Sequence, residues 1–84
     1  MVSYYITIAF YSEPNYRGNC SIYYLKGIKG NKISYGGTMY KKLYLQKSAA
    51  LKAAKKIKNA FTTAKVEVNE IIPINGVFNT IVIQ

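Results

Sequence analysis

The chain has no histidine, no tryptophan and no aspartate, and only three acidic residues, Glu13, Glu67 and Glu70, among 84. Without histidine the commonest general acid or base at neutral pH is missing. With three glutamates, carboxylate dyads and acidic metal cages lack their parts. Glu67 and Glu70 stand three apart in a strand pattern, so they point to opposite faces and cannot act as a pair. Cys20 is the only cysteine; it has no intrachain disulfide partner and no imidazole to activate it, and it reads as a small core residue. An unpaired thiol suits a reducing compartment, so the expected location is cytoplasmic. Arginine is as scarce, with Arg17 alone, which leaves too few cations to surround a scissile phosphate. Gly27 to Gly30 lacks the GK[ST] ending of a phosphate loop. No catalytic residue, cofactor or metal is expected, and the chain reads as a non-enzyme.

Long hydrophobic runs are absent too. The most apolar stretch, Ile71 to Ile83, is broken by Pro73, Asn75, Gly76, Asn79 and Thr80 and is shorter than the roughly 20 residues of a membrane helix. Met1 to Ser12 lacks the charged and small-residue flanks of a signal peptide and alternates with period two instead. No membrane partner is expected.

Basic charge is abundant. All 12 Lys and Arg residues lie between Arg17 and Lys65, and no acid falls in that interval. A field of one sign attracts polyanions, nucleic acid first among them. Lys, Ile, Tyr and Asn, all encoded by A/T-rich codons, make up 38 of the 84 residues, so part of the lysine excess is explained by a low-GC genome. The absence of Asp is not.

Tyr4, Ile6, Ile8 and Phe10 alternate with Tyr5, Thr7, Ala9 and Tyr11, predicting a first strand over residues 3–11. Ser12 to Asn19, with Pro14, Asn15 and Gly18, has turn composition and carries Arg17. Cys20 to Lys26 predicts a second strand, Gly27 to Asn31 a hairpin connection, and Lys32 to Leu45 a third strand bent at Gly36-Gly37. Ser48 is placed to cap a helix over Ala49 to Ala64, with Ala50, Ala54, Ile57, Phe61 and Ala64 on the buried stripe and Lys52, Lys55 and Lys56 opposite. Val66 to about Ile72 predicts a fourth strand, at an edge or ending at Pro73. Asn75-Gly76 is a type I′ hairpin signal, and Val77 to Ile83 a fifth strand. The expected fold class is α+β: one small domain over residues 1–84, with an antiparallel sheet of about five strands and one helix on one face (β-β-β-α-β-β). Three strands followed by a helix, over residues 3–64, resembles the layout of AP2-type and integrase arm-binding DNA domains, which implies a sheet laid against duplex DNA. Two further strands follow here.

One helix covers one face of such a sheet, so the other face is solvated or covered by a partner. In the third strand the alternation sets Tyr40, Lys42 and Tyr44 on one side and Met39, Lys41, Leu43 and Leu45 on the other. With the aliphatics toward the helix, the tyrosines and Lys42 form an aromatic-basic row, joined by Tyr5, Tyr11 and Tyr23. Flat rings stack bases and basic heads track phosphates. Helix lysines at spacings of three and four repel one another, and a bound anion relieves that repulsion. The expected nucleic-acid-binding set is Arg17, Tyr40, Lys41, Lys42, Tyr44, Lys52, Lys55 and Lys56. Lysines suit phosphate contact, whereas guanine readout favours arginine, so little sequence specificity is expected.

The alternative is a protein-interaction module of phage or mobile-element type, or an inhibitor of host nucleic-acid machinery such as a CRISPR effector. It would dock a host or phage protein on the open Tyr-rich face. The uncharged fifth strand also suits edge pairing with a second copy, making a homodimer.

Overall fold

Tyr4, Ile6 and Ile8 alternate with Tyr5, Thr7 and Ala9, and this pattern makes β1 (Ser3–Tyr11) the middle strand of the sheet. The computed structural model describes residues 2–11 and 20–84. β1 is followed by β2 (Cys20–Lys29), β3 (Lys32–Gly36), α1 (Lys47–Ala60), β4 (Lys65–Ile74) and β5 (Val77–Val82). The strands lie in the order β3-β2-β1-β4-β5, every neighbouring pair antiparallel. The architecture is the expected α+β sheet with a single helix packed against it. The three-strand layout of residues 3–64 is one part of a larger sheet, because β4 takes the free side of β1. The expected loop from Ser12 to Asn19, with Arg17, lies outside the described residues, as do the side chains of Tyr11 and Cys20.

The pairing register fixes the two faces. Tyr4 stands opposite Glu70, Ile6 opposite Val68 and Ile8 opposite Val66, and this face meets α1. Ile6, Ile8, Leu25, Ala50, Ala54, Ile57 and Val68 are at most 1 % exposed, each large aliphatic among them contributing about 1.5–3 kcal/mol by leaving water. Alanines at 50, 53 and 54 let the helix approach the sheet closely. Phe10, Tyr23, Tyr35 and Phe61 close one end of this core, with ring centroids 5.1–5.9 Å apart. Tyr23 therefore belongs to the helix side, since it pairs with Ile8; Tyr24 is the residue that joins Tyr5 on the open face, 5.8 Å away.

Both hairpins follow from their turn residues. Asn75 and Gly76 have φ of 51° and 78°, the two positive values a type I′ turn requires, between the paired Ile74 and Val77. Gly30, with φ of 61°, turns the chain between Lys29 and Lys32. Pro73 lies inside β4 rather than at its end, and β4 is not an edge strand. Val68 bonds toward β5, so by alternation residue 73 faces the β1 side. There β1 pairs no further than Ser3 with Ile71, and the missing N–H breaks no ladder.

The largest departure from expectation is the third strand, which ends at Gly36 and not at Leu45. The Tyr40 ring folds over Gly36, where a Cβ would stand 2.9 Å from its Cδ2, and a single 3₁₀ turn at Thr38–Tyr40 redirects the chain. The bulge belongs to β2, between Leu25 and Gly27. It turns β2 away from β1, and the vacated positions are taken by the connecting segment. The Lys42 N–H donates to the Leu25 carbonyl at 2.9 Å, and Tyr4 and Tyr44 exchange backbone bonds of 2.8 and 2.7 Å.

That bridge sets Tyr44 on the same face as Tyr4 and reverses the expected parity. Tyr44 packs against the core, while Met39, Leu43 and Leu45 are 81 %, 51 % and 69 % exposed. Backbone register, not apolar content, decides which side is buried, and a one-residue shift flips every side chain. The helix also starts earlier than expected. Its cap is Gln46, with no side-chain hydrogen bond, and Ser48 lies within the first turn. It ends at Ala60, because Phe61 leaves helical geometry as its ring enters the aromatic cluster.

Burial pushes the Tyr4 phenol above its ordinary pKa of 10.0, and the Glu70 carboxylate adjacent to it adds to the rise. Burial alone raises Tyr44. A proton held more tightly in the folded chain stabilises fully below the unfolded phenol's pKa. Above about pH 10 the unfolded chain releases its protons first, so stability falls as pH rises through the folded pKa. Thermal melts between neutral pH and pH 11 should show a steeper alkaline decline for the native chain than for a Tyr4→Phe, Tyr44→Phe variant. Equal slopes would show that these phenols do not govern it.

Candidate nucleic-acid interface

Helix α1 packs on β1 and β4 and leaves the β2–β3 hairpin uncovered on the same side. A cleft therefore runs between the helix and that hairpin. Ile28 lines two depressions of this cleft, of about 330 and 230 Å³, and also a third of about 260 Å³, whose Lys29 and Ser34 lie, by the β2–β3 register, on the sheet face opposite Ile28 and Ile33. Lys56 with Asn31 and Asn59 borders the first, and Lys52 and Lys56 with Tyr44 the second. Lys26, Lys29 and Lys42 with Ser34 border the third. Lys52 and Lys56 thus border the helix side of the hairpin, and Lys26, Lys29 and Lys42 the third depression; among the described residues no carboxylate lines any of the three. Glu67 stands opposite Thr7 on the open face and Glu70 opposite Tyr4.

Three chain segments supply these lysines: β2, the segment after β3, and α1. The β2 bulge turns out Lys26, Lys29 ends β2 opposite Lys32, and the segment bonded to Leu25 brings in Lys42, with its Nζ 5.4 Å from the Tyr44 ring. On α1, Lys52 and Lys56 are one turn apart and share a face. Lys26 also sits 4.4 Å from the Tyr40 ring centroid, an interaction worth about 0.5–1 kcal/mol at an exposed site.

The structure divides the residues expected to act together. Lys42, Tyr44, Lys52 and Lys56 meet in the cleft. Lys41 lies on the opposite face, its Nζ 4.6 Å from the Tyr5 ring and 5.9 Å from Tyr24, because the parity that turns Tyr44 inward turns Lys41 to the other side. Lys55 faces the β5 side of the helix with Lys58 and Gln84. Tyr40 is 47 % exposed beside the bulge, and Arg17 lies outside the described residues. The expected row of projecting tyrosines does not form: Tyr44 is packed inward, and the open face presents Tyr5 and Tyr24 beneath Lys41.

Lys26 and Lys29 were not singled out by the sequence, although a signal for them exists. Leu25 and Ile28 are three residues apart in a strand pattern, and both face the core only if one extra residue bulges out between them. Lys26 is that residue.

On the open face Asn69 is 6 % exposed. Its amide donates to the Thr7 hydroxyl at 3.3 Å and to the Tyr5 and Glu67 carbonyls at 3.4 Å, so its role is to tie β1 to β4. No helix among the described residues is long and apolar enough to cross a membrane. No family model matches the chain, and no curated protein or solved structure matches it either.

Proposed function

We propose that this protein is a non-enzymatic nucleic-acid-binding protein that holds a phosphate backbone in the cleft between α1 and the β2–β3 hairpin. The observation that carries this reading is the clustering of Lys26, Lys29, Lys42, Lys52 and Lys56 in three depressions about the β2–β3 hairpin, lined by no acid among the described residues. Mutual repulsion among these amines is relieved when a polyanion enters. The half-exposed Tyr40 ring beside Lys26 offers a base a surface to stack on. Lysine heads are point charges without the planar fork that reads guanine, so binding follows the backbone with little sequence preference. A reducing cytoplasm, where nucleic acid is at hand and the lone Cys20 stays a thiol, is the compartment this reading implies.

The test is binding of fluorescent single-stranded and double-stranded oligonucleotides over a salt series. Neutralising about five phosphates predicts a fall in affinity of roughly 10²–10³-fold between 50 and 200 mM salt. No binding at low salt would remove this reading and turn the search to a protein partner for the open sheet face.

A further inference from the structure

The two edges of the sheet differ. β3 is five residues long, starts with Lys32, and has the Tyr40 ring folded over its other end at Gly36. Such an edge is short and blunted by charge. β5 has neither protection. It holds no charge, no proline and no bulge, and all six of its residues are exposed, with Val77, Phe78, Ile81 and Val82 at 62 %, 74 %, 48 % and 55 %. The helix is seated chiefly over β1 and β4.

The hydrogen bonds show which groups β5 leaves free. The Ile83 N–H donates to the Val68 carbonyl at 2.9 Å, so by alternation Val77, Asn79 and Ile81 face β4. Phe78, Thr80 and Val82 then present their N–H and C=O groups to the outer edge. Through the β4 register these same residues put their side chains on the open face: Phe78 stands opposite Pro73, Thr80 opposite Ile71 and Val82 opposite Asn69.

We propose that β5 pairs with β5 of a second copy about a two-fold axis at Thr80, joining two five-stranded sheets into one antiparallel sheet. In this register Thr80 meets Thr80 of the second copy, and Phe78 meets its Val82, at both ends of the pair. All three are hydrogen-bonded positions, so each outward N–H and C=O from Phe78 to Val82 finds a partner. Thr–Thr and aromatic–β-branched pairs are favourable cross-strand combinations. The strand is its own complement, as an isologous interface requires.

Charge favours a second copy at this edge over any other. All 12 basic residues lie between Arg17 and Lys65, while residues 66–84 carry only Glu67 and Glu70. Joining through β5 therefore brings together two strands that carry no basic residue, with Lys41 beside Phe78 and Thr80 on the open face and Lys55 and Lys58 beside Gln84 on the helix side, and sets the basic clefts toward the far ends of the sheet. Pairing through β3 would bring the lysines of two hairpins face to face.

Light scattering across a concentration series, with Thr80→Lys and Thr80→Pro beside the native chain, tests this. The native protein should approach twice 9.5 kDa, and both variants should stay at the single-chain mass with unchanged circular dichroism. Thr80→Lys sets two like charges opposite each other, and Thr80→Pro removes an N–H that points away from β4, so neither disturbs the ladder within one chain. Amide exchange on the native chain adds a measurement without substitution: the Phe78, Thr80 and Val82 amides should gain protection as concentration rises. A native chain that stays at 9.5 kDa, a dimer that survives both substitutions, growth beyond two chains, or unprotected amides in the dimer would each overturn the proposal.

Discussion

Replacing Lys42, Lys52 and Lys56 together by Glu is expected to lower oligonucleotide affinity by more than ~100-fold at moderate salt, to the point of no detectable binding. The lysine cluster about the β2–β3 hairpin would change from five positive groups to two positive and three negative ones. A phosphate chain laid over Ile28 would then meet repulsion where it had met counter-charge. The salt slope should fall with it, by about one for each phosphate no longer neutralised. All three lysines are exposed, and on the helix the change exchanges one like-charge pair at 52 and 56 for another, so the fold is retained and circular dichroism should confirm it. The decisive comparison is Lys41→Glu, Lys55→Glu and Lys58→Glu, which alters net charge equally but outside the cleft. That variant should lose far less affinity. Equal losses in the two variants would show that net charge alone governs binding and that the cleft is not the site. Full binding by the first variant would remove the nucleic-acid reading of this surface.

Why one half of the lysine set was legible and the other was not is a matter of period. On α1 the 3.6-residue repeat is strict, so the outward direction of Lys52, Lys55 and Lys56 follows from Ala50, Ala54 and Ile57 facing in. Which side of the helix would border a groove does not follow, because that depends on the helix lying over β1 and β4 with β2–β3 left open. Strand order is a long-range property, and five strands admit several pairings with the same alternation. β1, the Asn75-Gly76 turn and the element order were readable for the opposite reason: each rests on local chemistry within a few residues.

The segment from Met39 to Leu45 shows the limit of pattern reading. Past the 3₁₀ turn at Thr38–Tyr40 the sides do differ, but Leu43 and Leu45 face water and Tyr44 faces the core. Two backbone bonds to Tyr4 and one to Leu25 outweigh the preference of Leu43 and Leu45 for burial. Those bonds exist only because β2 bulges at Lys26. One irregularity in β2 thus sets the parity of a segment some fifteen residues later, and with it the separation of Lys41 from Lys42 to opposite faces.

Truncation of Ile57 to Ala should be the most damaging single change on the helix. Ile57 is fully buried, and the other buried residues of α1 are alanines at 50, 53 and 54, so it is the one large side chain that the helix buries completely. Losing three buried carbons and leaving a cavity costs about 2–5 kcal/mol. A domain of this size holds roughly 0.05–0.15 kcal/mol per residue in total, so the loss is a large share of the whole. A melting temperature lower by about 10 °C or more is expected, with Ile57→Val intermediate. Ile81→Ala, at a position 48 % exposed on β5, should by contrast stay within about 0.5 kcal/mol of the native chain in dilute solution. If Ile57→Ala were as mild as Ile81→Ala, the core would not lie between α1 and β1–β4. The same substitution reaches function through position rather than charge. Lys52 and Lys56 border the cleft only while Ile57 holds α1 on the sheet, so oligonucleotide affinity should fall in step with the folded fraction as temperature rises, although every lysine is still present.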